Sequence, residues 1–289
     1  MLIQRIDILC SSVLHKEEEQ VNYIVEHIED FYTEFLRVKK DKFGNKKLNK
    51  PKYSQFGKYW TRTINPPKKE LKDIQRRINC YLVEHIQMPE YAFGGIKHKD
   101  NILNARYHKG QKYVFQTDLK DFFPYINNKM VYMTFVQIGF SYDVASILTK
   151  LTTYHGHLPQ GAPTSTTIAN LVFVPTGIEL QVIAKREGLR FTTFVDDVTM
   201  SSQTDFKHVV PEIVQTIISH GFKISQGKTT YRSGITEVTG VKMLNNSMTI
   251  TDKLKNALSK KIDENSPRVK GMLNYKKRVE IISNSNKMC

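Results

Sequence analysis

Two strand-like stretches of this chain end in acid. Residues 111–118, Gln-Lys-Tyr-Val-Phe-Gln-Thr-Asp, finish on Asp118, and residues 190–194, Arg-Phe-Thr-Thr-Phe, run into Val195-Asp196-Asp197. Val198 to Ser201 can continue past a tight turn, so the second stretch reads as a hairpin. Adjacent carboxylates repel each other, which a purely structural turn rarely chooses, and a divalent cation relieves the repulsion. Taken alone, Asp-Asp also suits an ordinary hairpin turn. Asp118 and Asp196 stand 78 positions apart, so the acids meet only through tertiary structure. Magnesium takes oxygen ligands of this kind and keeps open positions for substrate phosphates.

Helical patterns separate these strands, over 128–150 and 165–187. Upstream, Val21, Ile24, Val25, Ile28, Phe31, Tyr32 and Phe35 predict an amphipathic helix over 15–38, followed by a lysine-rich loop or hairpin from Lys39 to Lys52. Pro66-Pro67 precedes a second helix carrying Leu71, Ile74, Ile78, Leu82 and Ile86 on one face. Downstream come a helix over 206–220, short strands at 222–225 and 236–243, and a basic tail whose helix starts at Thr251-Asp252. The pattern is α+β, a sheet with helices packed on it.

The chain has 289 residues, 43 of them Lys or Arg against 28 Asp or Glu, a formal charge of +15. That balance disfavours cationic substrates and points to a polyanionic partner. Cys10, Cys80 and Cys289 form no CxxC pair, so a zinc site is not expected and a reducing cytosol is. No leader pattern opens the chain, and the most apolar stretch, Ile168 to Val174, is too short to span a bilayer. The expectation is nucleic acid rather than membrane, in the cytoplasm.

The motifs resemble those of reverse transcriptases, and within them the bacterial retron type. Thr117-Asp118-Leu119-Lys120-Asp121-Phe122-Phe123-Pro124 is similar to polymerase motif A, and Leu158-Pro159-Gln160-Gly161-Ala162-Pro163 through Asn170 to motif B. Phe194-Val195-Asp196-Asp197 resembles motif C, and Gly221-Phe222-Lys223-Ile224 through Lys228-Thr229 motif D. Asn104-Ala105-Arg106-Tyr107-His108 and Val238-Thr239-Gly240 resemble two retron elements. The likeness covers about residues 55–283. It implies a right-hand polymerase fold: N-terminal helix and fingers over 1–110, palm with antiparallel sheet over 111–245, and a short basic helical thumb over 246–289.

The resemblance assigns roles to residues. Asp118, Asp196 and Asp197, with the Leu119 carbonyl, are implied to hold two magnesium ions. Phe123 takes the place of a steric gate against the ribose 2′-hydroxyl, which implies dNTP substrates. Gln160 and Gly161 would meet the incoming nucleotide and template, Lys228 its triphosphate or leaving pyrophosphate, and Arg62 its phosphates from the fingers. Asn104, His108, Val238, Thr239 and Gly240 are read as RNA-recognition or structural elements. The basic segments 37–77 and 253–278 are expected to flank the acidic centre.

The sequence departs from the retron pattern where Phe194-Val195 replaces Tyr-Ala, where Thr166 replaces a frequent proline, and where Ile168-Ala169-Asn170 replaces Leu-Ser-Asn. No RNase H or His-Asn-His nuclease signature is visible, so removal of template RNA is expected to need another protein. The implied activity is RNA-directed DNA polymerisation on a dedicated non-coding RNA. Priming from a 2′-hydroxyl would give branched RNA–DNA (multicopy single-stranded DNA), in an antiphage unit with an effector protein. Two other readings are a different bacterial defence reverse transcriptase and a non-catalytic RNA-binding scaffold of polymerase fold.

Overall fold

The computed structural model describes residues 2–39, 46, 48, 58–259 and 266–285. The chain forms two compact units, Met1–Gln87 with Phe123–Val172, and Met88–Phe122 with Phe173–Cys289.

In the first unit, the helix expected over 15–38 is only Glu18–Glu26, started by a Glu17/Gln20 capping box. A single 3₁₀ turn, Ile28–Phe31, follows. Phe35–Val38 then forms strand β1, antiparallel to β2, Thr61–Ile64. The helical periodicity past residue 27 is overridden because ladder bonds to β2 satisfy that backbone, and Thr33 N–H donates to the Pro66 carbonyl. Phe35 and Leu36 end up exposed rather than in a core. Of the lysine-rich segment 39–52, only Lys39, Lys46 and Leu48 fall within the described residues.

The helix Lys69–His85 matches its expected face, burying Leu71, Ile74, Ile78 and Leu82. Buried Gln75 on the same helix donates to Tyr32 Oη at 2.7 Å and to the Leu151 carbonyl at 2.8 Å. The helix expected over 128–150 is two, Asn128–Gln137 and Tyr142–Thr152. Gly139, at φ +109°, makes the break, and Ser141 caps the second helix. Ser165–Arg186 is one 22-residue helix around the apolar stretch 168–174. By length and composition alone it could cross a membrane, but 67% of its apolar window is buried inside the protein.

The second unit holds a four-stranded antiparallel sheet ordered β4-β5-β3-β6. β3 is Tyr113–Asp118, β4 Arg190–Phe194, β5 Asp197–Ser202 and β6 Thr230–Ser233. The strand expected at 222–225 is absent: only Ile224 pairs, in an isolated bridge to Leu119. The helix expected over 206–220 is a 3₁₀ turn, Lys207–Val209, leading into Val210–Ser219.

The single strand expected over 236–243 is a hairpin, β7 Thr236–Val238 and β8 Val241–Met243, joined to β9 Met248–Ile250 in a second sheet. Its turn, Thr239-Gly240, has φ +44° and +79°, the conformation a two-residue hairpin connection demands. Ile102 and Ala105 from helix Asn101–Tyr107, and Val279 from helix Pro267–Asn284, complete a core with Val238, Val241, Met243, Met248 and Ile250. A shorter helix, Asp252–Ser259, brings Leu254 and Leu258 to the same core.

The elements Asn104–His108 and Val238–Gly240 turn out to be joints. Asn101 Nδ2 donates to the Thr239 carbonyl at 3.0 Å, Thr239 Oγ1 donates to the Asn101 carbonyl at 2.8 Å, and Asn104 Nδ2 reaches Thr239 Oγ1 at 3.3 Å. These bonds hold a β-branched residue in the left-handed region, where it would otherwise be strained. His108 is fully buried, with Nδ1 2.6 Å from Ser201 Oγ on β5 and Nε2 2.7 Å from Thr192 Oγ1 on β4. The neutral ring can donate through one nitrogen and accept through the other.

Burial, reinforced by the nearby Arg190 charge, pushes the His108 pKa down to about 3. Below pH about 6.5 the unfolded chain therefore binds a proton that the folded chain refuses. Stability from this group is complete above that pH and falls as pH drops toward 3. Between pH 7 and 5 the loss should be about 2 kcal/mol. Denaturant titrations of wild type and His108→Gln across that range check this. Parallel pH dependences for the two proteins would contradict it.

Candidate active site

β3 and β5 pair so that Asp118 lies directly opposite Asp197, and Phe194 opposite Asp197 closes the β4–β5 hairpin on the two-residue turn Val195-Asp196. Side chains directly opposite in an antiparallel pair have β-carbons about 5 Å apart, and like charges there repel. The turn is tied to the end of β3 by Leu119 N–H, which donates to the Asp196 carbonyl at 2.8 Å. One register thus brings the three aspartates to one end of the sheet.

Their surroundings differ. Asp118 is buried, and its carboxylate accepts from Ser225 Oγ at 2.7 Å and from the Lys228 ammonium. Ser225 N–H also donates to the Asp118 carbonyl at 2.7 Å. Thr117 and Thr229 share a hydroxyl bond of 2.7 Å, fixing the Lys228 segment beside β3. Asp197 is half-buried, and its pKa is pushed up to about 7 by burial and by the neighbouring carboxylates of Asp196 and Asp118, against the pull of Lys228. Burial opposes the charge on Lys228, but the bond to Asp118 and the three carboxylates outweigh it and hold its pKa above the ordinary lysine value.

Among the described residues no group of three or more His, Cys, Asp or Glu is arranged to hold a metal. Lys228 and Ser225 engage the Asp118 oxygens instead. The donor chemistry nevertheless suits a hard divalent cation. The acids offer oxygen only, and burial together with the Asp196 and Asp118 carboxylates raises the Asp197 pKa against the pull of one lysine.

The nucleotide-contact candidates Arg62, Phe123, Gln160 and Gly161 belong to the first unit, and the acids and Lys228 to the second. Within the first unit, Asn65 N–H donates to the Gln160 carbonyl at 2.8 Å. Gly161, at φ +106°, sits where a β-carbon would come within 3.0 Å of Ile64 Cγ2 at the end of β2. The strand carrying Arg62 is therefore brought beside the Gln160-Gly161 loop. Gln160 Oε1 is buried with no hydrogen-bond partner among the described residues. Phe123 is half-buried in the single helical turn Phe122–Tyr125. Phe122, in contrast, packs on Phe173 and Phe222. Val238 is buried in the β7–β9 core and Gly240 completes its hairpin turn.

Sequence reasoning missed Arg37, which lies directly across the ladder from Arg62, because the helical periodicity hid β1. It also passed over Ser225, although that residue lies inside the motif that drew attention to Lys228.

A family model described as reverse transcriptase (RNA-dependent DNA polymerase) matches residues 46–277. The retron Ec86 reverse transcriptase of Escherichia coli is 34% identical over 58% of this chain and 53% of its own length. The retron Se72 reverse transcriptase of Salmonella heidelberg is 33% identical over 76% and 55%, and the retron Mx65 reverse transcriptase of Myxococcus xanthus 30% identical over 76% and 54%. The chain spans about half the length of these curated relatives. Among solved structures, a Candida albicans telomerase in complex with a telomeric RNA fragment matches with TM-score 0.50 at 9% identity, over 81% of this chain and 50% of that one. At that identity the likeness speaks to fold alone, and the fold is the right-hand polymerase. The chain belongs to the reverse transcriptase family, and its resemblance within that family is to the retron type.

Proposed function

We propose that this chain is the RNA-directed DNA polymerase of a retron, copying part of a dedicated non-coding RNA into single-stranded DNA. The observation that carries this reading is the meeting of Asp118, Asp196 and Asp197 at one sheet end in a chain of this family. Residues 1–110 serve as fingers, 111–245 as palm and 246–289 as thumb. Priming from a 2′-hydroxyl of the partner RNA gives a branched RNA–DNA product, and the ribonucleoprotein restrains an effector in antiphage defence.

In this reading Asp118, Asp196 and Asp197, with the Leu119 carbonyl, hold magnesium. When bound, magnesium lowers the pKa of the attacking hydroxyl and neutralises the leaving pyrophosphate. Were a cation held on Asp118, Lys228 would be released from it, and its ammonium would serve the departing pyrophosphate as charge partner and proton donor. Phe123 excludes the 2′-hydroxyl of a ribonucleotide, while Arg62, Gln160 and Gly161 meet the incoming nucleotide.

The double substitution Asp196→Asn with Asp197→Asn should cut primer extension on an RNA template at least about 100-fold. It should also turn the copurifying nucleic acid from a species sensitive to both DNase and RNase into RNA alone. Unchanged synthesis would refute the site. Phe123→Val should admit ribonucleotides, read as a rise of about tenfold or more in rNTP over dNTP incorporation. Lys→Glu changes at Lys253, Lys255, Lys270 and Lys277 should weaken RNA binding and flatten its salt dependence, with the magnesium requirement unmoved. Equal affinity at moderate salt would mean that the charge of this tail serves something else.

A further inference from the structure

The turn that carries Asp196 is strained. Val195 has φ +59°, a conformation that two-residue hairpin turns give to Gly, Asn or Asp and that a β-branched residue adopts only when its surroundings impose it. On one side, the Leu119 N–H bond to the Asp196 carbonyl supplies the constraint. On the other side lies a segment that no motif above uses, residues 91–94.

That segment runs along the open edge of β4. Phe93 N–H donates to the Thr193 carbonyl and Thr193 N–H to the Tyr91 carbonyl, each at 2.8 Å, and Ala92 pairs with Thr193 in a parallel bridge. Lys99 Nζ ties it from behind, donating to the Glu90 carbonyl at 2.5 Å and the Ala92 carbonyl at 2.9 Å, and lies 4.6 Å from the centre of the Phe93 ring. Tyr91, Ala92, Phe93 and Gly94 are all buried. This bridged segment thus delivers Gly94 to the turn.

The approach is closer than any other residue type permits. A β-carbon at Gly94 would fall 2.5 Å from the Val195 nitrogen, 2.6 Å from Val195 Cγ2 and 2.8 Å from the Phe194 carbonyl carbon. Two of these three atoms are backbone, which cannot swing aside as a flexible side chain can. We propose that Gly94 is a positioning residue for the reaction: bare of a side chain, it seats the 91–94 segment against Val195 and holds the strained turn that aims Asp196 beside Asp118. The proposal rests on the reading of Asp118, Asp196 and Asp197 as the metal-holding acids. It adds that their geometry is set from outside the hairpin that bears two of them.

The test pairs Gly94→Ala with Val195→Gly, with Gly94→Ala/Val195→Gly and with Asp196→Asn. Mn²⁺ affinity is read by electron paramagnetic resonance, turnover by primer extension, and folding by circular dichroism. The added methyl should displace the turn, weakening Mn²⁺ binding and lowering kcat about tenfold or more while primer–template affinity stays within about twofold. Val195→Gly removes the Cγ2 contact and lets the turn yield, so the double variant should recover Mn²⁺ affinity relative to Gly94→Ala, a non-additivity expected only of coupled residues. A folded Gly94→Ala protein with wild-type Mn²⁺ affinity and kcat overturns the proposal. So do additive losses in the double variant, or an unfolded Gly94→Ala chain that Val195→Gly does not restore. If Asp196→Asn leaves Mn²⁺ binding and synthesis intact, the reading of the acids fails instead. Loss with Asp196→Asn but none with Gly94→Ala sinks the Gly94 proposal alone.

Discussion

Asp118 faces Asp197 across the β3–β5 ladder, and much of the second unit is arranged around that unfavourable pairing. Like charges directly opposite destabilise a sheet, and burial makes the repulsion stronger. The chain offsets it locally: Ser225 and Lys228 take the Asp118 oxygens, while burial and the neighbouring carboxylates still raise the Asp197 pKa. Lys228 stands on a carboxylate that a cation would claim. In the proposed reading, the excess negative charge that makes this sheet end costly is what would favour a divalent ion there.

Strain recurs at the hairpin turns of two elements that resemble the family's motifs. Val195 and Thr239 are both β-branched, both in the left-handed region, and both at the first position of a two-residue hairpin connection. Each is over-determined by its neighbours, Val195 by Leu119 and Gly94, Thr239 by Asn101 and Asn104. Asn104 and His108 sit one turn apart on one short helical stretch, one bonded to the β7–β8 turn and the other to β4 and β5. Among the described residues these bonds make the Asn-Ala-x-x-His element a structural clamp between two sheets. His108, buried and held neutral, takes up no proton near neutral pH.

Long periodic segments and strand ends were legible in the sequence. The helix Lys69–His85, the strands β3, β4 and β5, and the acids at their ends follow from apolar spacing and from the rarity of adjacent carboxylates after a strand. What misled were periodicities that tertiary pairing overrode. Residues 35–38 continue a helical pattern yet pair with β2, which hid Arg37 across from Arg62. Residues 128–150 break at Gly139, and residues 236–243 fold back at Thr239-Gly240. In each case a local bond or a left-handed residue decided between conformations that hydrophobic spacing alone leaves equal.

By itself the sequence determined the donor chemistry: which side chains are acids, which element each ends, and the +15 charge that a polyanion would meet. Those properties belong to residue types and short spacings. Only the tertiary structure decided that Asp118 meets Asp197 in register, that Lys228 and Ser225 occupy Asp118, and that Gly94 abuts Val195. Register and close approach join residues from 79 to 110 positions apart, and no local preference encodes such distances. They are fixed when hydrogen-bonded edges and buried faces find the one arrangement that satisfies all of them together.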